Sequence, residues 1–219
     1  MTDRRTLLFD LDGTLLDTAP DMAYALNRLL SERQYEPLPF EHIRGHVSHG
    51  ANALTRLGFQ VAPDEPAFAS LRKRFLEIYA DNLCRETRLF SGMESILERC
   101  ERIGTAWGVV TNKPSFLTDP LLRRLGLWDR AACVVSGDTL DRRKPHPEPL
   151  LHACRIAGGA PDRCIYVGDA ERDIEAGRRA GMTTLVATFG YLTNSDRPED
   201  WGADGLLRDP VDLLHWLDG

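Results

Sequence analysis

Asp10 and Asp12 close an apolar run, Leu7-Leu8-Phe9, and are followed at once by Gly13 and Thr14. Side chains two apart on an extended strand project to the same side, so these carboxylates repel unless a cation or a shared proton lies between them. Such a pair can hold a metal, supply a nucleophile, or do both; it can also merely end a strand. Gly13 tolerates positive φ and the Thr14 hydroxyl bonds locally, so a turn is expected directly after the pair.

Three further segments follow apolar runs in the same manner. Val109-Val110-Thr111-Asn112-Lys113-Pro114 offers a hydroxyl, an amide and an ammonium, which suit phosphate oxygens but also suit a helix start ahead of Pro114. Arg142-Arg143-Lys144-Pro145-His146-Pro147-Glu148-Pro149 is a rigid basic loop that could neutralise a phosphoryl group or simply be solvated. Gly168-Asp169-Ala170-Glu171-Arg172-Asp173 sets two carboxylates four apart at a helix start, where acidic residues also cap. Singly each is ambiguous. In this order they are the parts that phosphoryl transfer needs, with Thr111, Asn112 and Lys113 at one strand end and the Lys144 loop at another as candidate phosphate ligands. A metal held by Asp10 and Asp169 would be hard and oxygen-seeking, Mg2+ before any softer ion, because no His or Cys accompanies them. Only three of the 27 basic residues are lysines (Lys73, Lys113, Lys144), so the two at strand ends stand out.

These groups need a frame. Strand-like runs recur at Thr6–Phe9, Ala106–Val110, Ala131–Val135, Cys164–Val167 and Thr184–Ala187, with helical patterns such as Pro120–Leu125, Pro149–Ile156 and Ile174–Ala180 between the later ones. Alternating strands and helices with continuous apolar runs predict an α/β fold, a doubly wound parallel-sheet (Rossmann-like) core, which binds ligands beyond the carboxyl ends of its strands. Between the first and second strands the pattern is helical only. Met22, Ala25, Leu26, Leu29 and Leu30 form one stripe; Phe68, Leu71, Phe75, Ile78 and Tyr79 form another. That segment is too long for one crossover. The expectation is an α/β core of residues 1–17 and 91–219 with an inserted helical cap of residues 18–90.

The 219 residues suffice to bury a large core, and a net charge of −6 gives no basic footprint for nucleic acid. The five cysteines are odd in number and lack CxxC spacing, so neither a disulfide framework nor a zinc site is expected, and Cys133 and Cys164 read as buried small hydrophobes. With no signal peptide and no membrane-length apolar run expected, the reading is a cytoplasmic protein without a membrane partner.

Asp10-x-Asp12-Gly13-Thr14, Thr111, Lys144 and Gly168-Asp169-x-x-x-Asp173 resemble the four motifs of the haloacid dehalogenase superfamily of phosphohydrolases, over nearly the whole chain. Within it, Val110-Thr111-Asn112-Lys113-Pro114 and Lys144-Pro145-His146-Pro147-Glu148-Pro149-Leu150 are similar to the phosphoglycolate phosphatase group. Arg44-Gly45-x-Val47-Ser48-x-Gly50-Ala51, Trp107-Gly108-Val109-Val110-Thr111 and Trp201-Gly202-Ala203-Asp204 bring it nearer the N-acetylmuramic acid 6-phosphate phosphatases of peptidoglycan recycling. His49 stands where that subgroup is expected to carry a small residue.

The resemblance implies a phosphatase acting on a small phosphorylated metabolite, N-acetylmuramic acid 6-phosphate first. Phosphoglycolate, another sugar phosphate or a sugar phosphomutase reaction are the alternatives. It implies Asp10 as nucleophile, Asp12 as general acid and base, and Thr111, Asn112 and Lys144 as the phosphate ligands. Mg2+ would lie on Asp10, Asp169 and the Asp12 backbone carbonyl, with Asp173 behind them. The implied cap closes over the site, and Arg44, His46, Ser48 and His49 are the residues expected to read the leaving group.

Overall fold

The computed structural model describes residues 5–217. In chain order the elements are β1 (Thr6–Phe9), β2 (Leu16–Asp17), α1 (Ala19–Glu32), α2 (Phe40–Arg44), α3 (Gly50–Phe59), α4 (Pro66–Asp81), β3 (Arg88–Leu89), α5 (Met93–Ile103), β4 (Ala106–Val110), α6 (Ser115–Arg124), β5 (Cys133–Val135), α7 (Glu148–Ile156), β6 (Cys164–Gly168), α8 (Glu171–Arg179), β7 (Thr183–Ala187), β8 (Gly205–Leu207) and α9 (Leu214–Leu217). Six strands form one parallel sheet in the order β5-β4-β1-β6-β7-β8. β1 lies inside it, between β4 and β6, so the segments following these three strands converge at one edge.

The period-two side-chain rule explains why these runs are apolar throughout. Leu7, Phe9, Val109, Ile165 and Val167 face one layer, against Met93, Ile96 and Leu97 of α5 and Leu121 of α6. Leu8, Val110, Val135 and Tyr166 face the other, against Leu150 and Ala153 of α7 and Ala176 of α8. Cys133 and Cys164 are buried among them as free thiols. The sheet is thus covered on both faces, and among the described residues no helix is long and apolar enough to cross a membrane.

The strand expected at Ala131–Val135 starts only at Cys133, and the helical pattern at Pro120–Leu125 is the second half of α6, which runs through Pro120. β8 is an addition at the sheet edge. The Asp204 carboxylate fixes it beside β7 by accepting from the backbone N–H of Thr184 at 2.7 Å, which gives the Trp201–Asp204 segment a structural role.

Helices α1 to α4 pack on one another around Leu26, Leu29, Leu54, Phe75 and Ile78, and both expected stripes are buried. The chain leaves and rejoins the sheet through a two-residue antiparallel ribbon, Leu16 opposite Leu89 and Asp17 opposite Arg88. The buried Asp21 carboxylate ties this return, accepting from the N–H groups of Arg85, Glu86 and Thr87 and from the Thr87 hydroxyl.

Candidate active site

β1 ends at Phe9, and the Asp10 N–H then donates to the Val167 carbonyl at 2.8 Å, so the first carboxylate is fixed at the sheet's edge. Its Oδ1 lies 2.8 Å from Nζ of Lys144, which stands at the same distance from Oδ1 of Asp173. That ammonium also donates to the Val110 carbonyl and the Tyr166 hydroxyl, and its side chain is 1% exposed. Asn112 clamps the loop that carries it: its side-chain amide donates to the Lys144 carbonyl and accepts from the Lys144 N–H. Burial pushes the Asp10 carboxyl up, but the charges of Lys144 and Arg172 outweigh it and hold the group below the usual carboxylate range.

Asp12 has a different cation. Nζ of Lys113 lies 2.8 and 3.2 Å from its two oxygens and donates to the Tyr79 hydroxyl at 2.9 Å. The Thr18 hydroxyl donates to Asp12 Oδ1 at 2.7 Å. Burial lowers the Lys113 ammonium, yet Asp12 and Tyr79 outweigh that and raise it, while burial pushes Tyr79 up to about 12. The repulsion read from the Asp10–Asp12 spacing is therefore relieved by two ammonium groups, one for each carboxylate. Buried Thr111 lines the cavity with Asp10, Asp12 and Lys113 and accepts from the Lys113 N–H.

Asp169, one residue past β6, completes a carboxylate cluster. Ligand oxygens of Asp10, Asp169 and Asp173 all lie within 4.8 Å of one another, in the one such cluster found among the described residues. Asp169 Oδ2 accepts from the Ser48 hydroxyl at 2.5 Å and the Tyr191 N–H at 2.9 Å, whereas its Oδ1 is buried with no hydrogen-bond partner. Asp173 is committed elsewhere: Oδ1 to Lys144 and Oδ2 to the Ala170 N–H. An unpartnered buried carboxylate oxygen amid all-oxygen donors fits a hard divalent cation held by Asp10 and Asp169, with Asp173 behind them. Gly13 makes the approach possible. Its φ is +86°, and a Cβ there would collide with the Asp169 carboxylate and the Tyr191 ring.

Burial first, then the negative charges of Asp10 and Asp173, pushes Asp169 up to about 7. The folded metal-free protein therefore holds a proton that the unfolded chain releases nearer pH 4. Its stabilising contribution is full below about pH 4 and is lost as pH rises through about 7. A divalent ion must displace that proton, so the rise in melting temperature on adding Mg2+ is expected to be larger at about pH 8 than at about pH 5.5. Thermal melts in Mg2+ and in EDTA check this; a Mg2+ increment that does not grow with pH would contradict it.

A cavity of about 440 Å3 opens over Asp10 and Asp12, floored by Asn112, Lys113 and Phe116 and roofed from α1, α3 and α4. Of the four residues expected to read a leaving group, Ser48 and His49 line it. Arg44 and His46 do not. Arg44 donates to the Phe189 carbonyl and lies over the Tyr191 ring, and both residues line a separate cavity beside Leu192 and Thr193. The helix carrying Arg44 ends there, and a 3-10 turn at Val47–His49 redirects the chain into α3. His42 thus lies in α2, His46 just before the 3-10 turn and His49 within it, and these three form no metal-ligand cluster among the described residues.

Lys113, Tyr79, Thr18, Tyr191 and Arg172 are the site's additions. Arg172 donates to the Ser48 carbonyl at 2.6 Å and lines the cavity. Tyr191 also donates its hydroxyl to Asp17, which links the Asp169 pocket to the ribbon. Lys113 had a visible sign, its rarity and its place at a strand end; the tyrosines had none, because their contacts join segments distant in sequence.

A family model described as haloacid dehalogenase-like hydrolase matches residues 7–187. A phosphoglycolate phosphatase of Xanthomonas campestris pv. campestris (strain 8004) is 45% identical over 209 residues, covering 95% of this chain and 94% of the relative. An N-acetylmuramic acid 6-phosphate phosphatase of Pseudomonas putida is 40% identical over 214 residues, covering 98% and 96%. The crystal structure of a predicted phosphoglycolate phosphatase from Haemophilus somnus 129PT superposes with a TM-score of 0.86 at 28% identity, covering 99% of each chain.

Proposed function

The chain belongs to the haloacid dehalogenase-like hydrolases and is a phosphoric monoester hydrolase, and from that premise we propose that it acts through an aspartyl phosphate on Asp10, with Mg2+, on N-acetylmuramic acid 6-phosphate. The observation that carries the chemistry is the pairing of the Asp10 carboxylate with Lys144, beside an unpartnered Asp169 oxygen. An Asp10 oxygen attacks phosphorus as the bond to the leaving oxygen breaks, and Asp12 gives that oxygen a proton. Water then attacks the phosphorus, losing a proton to Asp12, and the Asp10–phosphorus bond breaks. Thr111 and Lys144 bind phosphoryl oxygens, and Asn112 holds Lys144 in place. Asp10, Asp169 and the Asp12 carbonyl would hold the ion, with Asp173 supporting them. Bound Mg2+ offsets the repulsion between an anionic nucleophile and an anionic phosphate.

Residues 18–90 act in this reading as a cap that excludes water and selects the leaving group, with Ser48 and His49 its contributors from the 44–50 segment. A cytoplasmic setting belongs to the same reading and agrees with five free thiols. The substrate assignment rests on the cavity: about 440 Å3 suits a sugar-sized ligand and exceeds what a two-carbon acid fills. Phosphoglycolate is the second reading, favoured by the name of the relative at 45% identity.

Phosphate release measured across N-acetylmuramic acid 6-phosphate, phosphoglycolate and common sugar phosphates separates them. The muramic ester is expected to lead in kcat/KM by at least about tenfold, and EDTA is expected to stop all release. A lead for phosphoglycolate would overturn the substrate, and EDTA-resistant turnover would overturn the metal.

A further inference from the structure

α4 carries three basic residues, and two of them meet carboxylates: Lys73 pairs with Glu77, and Arg74 with Glu32 and Glu77. Arg72 forms no ion pair among the described residues. Its Nε donates to Asn52 Oδ1 at 2.6 Å, and it lines the cavity over Asp10 and Asp12. Arg72, Leu76 and Tyr79 recur at i, i+4 and i+7, so one face of α4 roofs the cavity from end to end. The Tyr79 end is pinned to the chemistry, because its hydroxyl meets the Lys113 ammonium that holds Asp12. Arg72 begins seven residues earlier, about 10 Å back along the axis at the helical rise. Met22, Leu76 and Phe116, the last 55% exposed, give the cavity an apolar stretch beside the polar Ser48, His49 and Arg143.

We propose that Arg72, steadied by Asn52, binds a carboxylate on the leaving group, so that the enzyme selects phosphomonoesters whose second anion sits on a sugar-sized body remote from phosphorus. The proposal rests on the phosphatase reading above and adds to it the group that reads the substrate. A guanidinium whose Nε is already taken still presents its terminal nitrogens, the geometry that suits a carboxylate. Lys113 and Lys144 sit beside Asp12 and Asp10 at the phosphoryl end, so Arg72 is a cation the cavity leaves for the rest of the substrate. A two-carbon acid holds its carboxyl carbon only roughly 4 Å from phosphorus, whereas an acid carried across a pyranose ring reaches further along the cavity, with the ring lying along Phe116 and Leu76.

The test compares kcat/KM for N-acetylmuramic acid 6-phosphate and N-acetylglucosamine 6-phosphate, which share the ring and the phosphate and differ in the acid. The unmodified enzyme is expected to prefer the acid by about 100-fold, and Arg72→Met to reduce that ratio to within about threefold, mainly through KM. Arg72→Lys should fall between, and Arg74→Met, on the same helix but outside the cavity, should keep the full ratio; melting temperatures confirm folding of each variant. A ratio near one in the unmodified enzyme, or a ratio that survives Arg72→Met, would overturn the subsite. So would its loss in Arg143→Met alone, which would move the acid to the basic loop on the floor. Failure of the reaction reading looks different: no phosphate released from either sugar or from p-nitrophenyl phosphate.

Discussion

Asp10→Asn is expected to lower kcat by more than about a thousandfold while the protein stays folded. The amide keeps the shape of the carboxylate but cannot form an acyl phosphate, so the step that breaks the substrate's ester bond has no nucleophile. Folding should survive because Asp10 is one of three carboxylates whose oxygens gather within 4.8 Å, and its charge raises Asp169. Removing that charge eases the repulsion there and offsets the lost contact with Lys144. Steady-state kinetics with a thermal melt checks both halves. A folded variant that keeps a tenth of the activity would remove Asp10 from the role of nucleophile.

Lys144→Ala has the second largest expected effect, and it acts on stability as well as rate. The ammonium lies 2.8 Å from both Asp10 and Asp173, with side-chain exposures of 1, 4 and 0% for the three groups. Removing one member of such a buried cluster leaves charges with no compensation, which costs about 3–5 kcal/mol. Turnover should fall with it, since the phosphoryl group loses a positive charge beside its nucleophile. The sign of the pH dependence follows from Asp10. With Lys144 present, this carboxyl lies below its usual range in spite of burial; without it, burial dominates and the folded pKa rises above the unfolded one. The deficit of the variant should therefore shrink toward acid pH, where both states are protonated, and grow as pH rises. Urea titrations at several pH values measure it. A deficit that is flat across pH, or below about 1 kcal/mol, would contradict the reading of Lys144 as the counter-charge of Asp10.

Much of this was legible in the residues, for physical reasons. Strands buried on both faces must be apolar at every position, so β1, β4 and β6 announce themselves, and their ends place Asp10, Thr111 and Asp169. The strands β2, β3 and β8 hold two or three residues each, too few for a period to develop. The pairing of charges was harder to read. Lys113 and Lys144 both follow strands, and only folding decides that the first meets Asp12 and the second Asp10. The repulsion inferred between the two aspartates was a sound premise, yet one cation between them was not its only remedy. Arg44 and His46 were expected at the leaving group because their segment resembles a cap, but the chain turns after Arg44 and both line a separate cavity. Arg72 shows the reverse case: it lies in an ordinary amphipathic helix, and only the cavity and the ion pairs around it set it apart from Lys73 and Arg74.

The central claim is a covalent phosphoryl group on Asp10. Turnover of N-acetylmuramic acid 6-phosphate in Mg2+, quenched in acid and reduced with borohydride, converts an acyl phosphate to the alcohol, and peptide mass spectrometry locates the residue. The account predicts homoserine at position 10 and at no other aspartate. Reduction at position 12, or at no position while phosphate is being released, would contradict it.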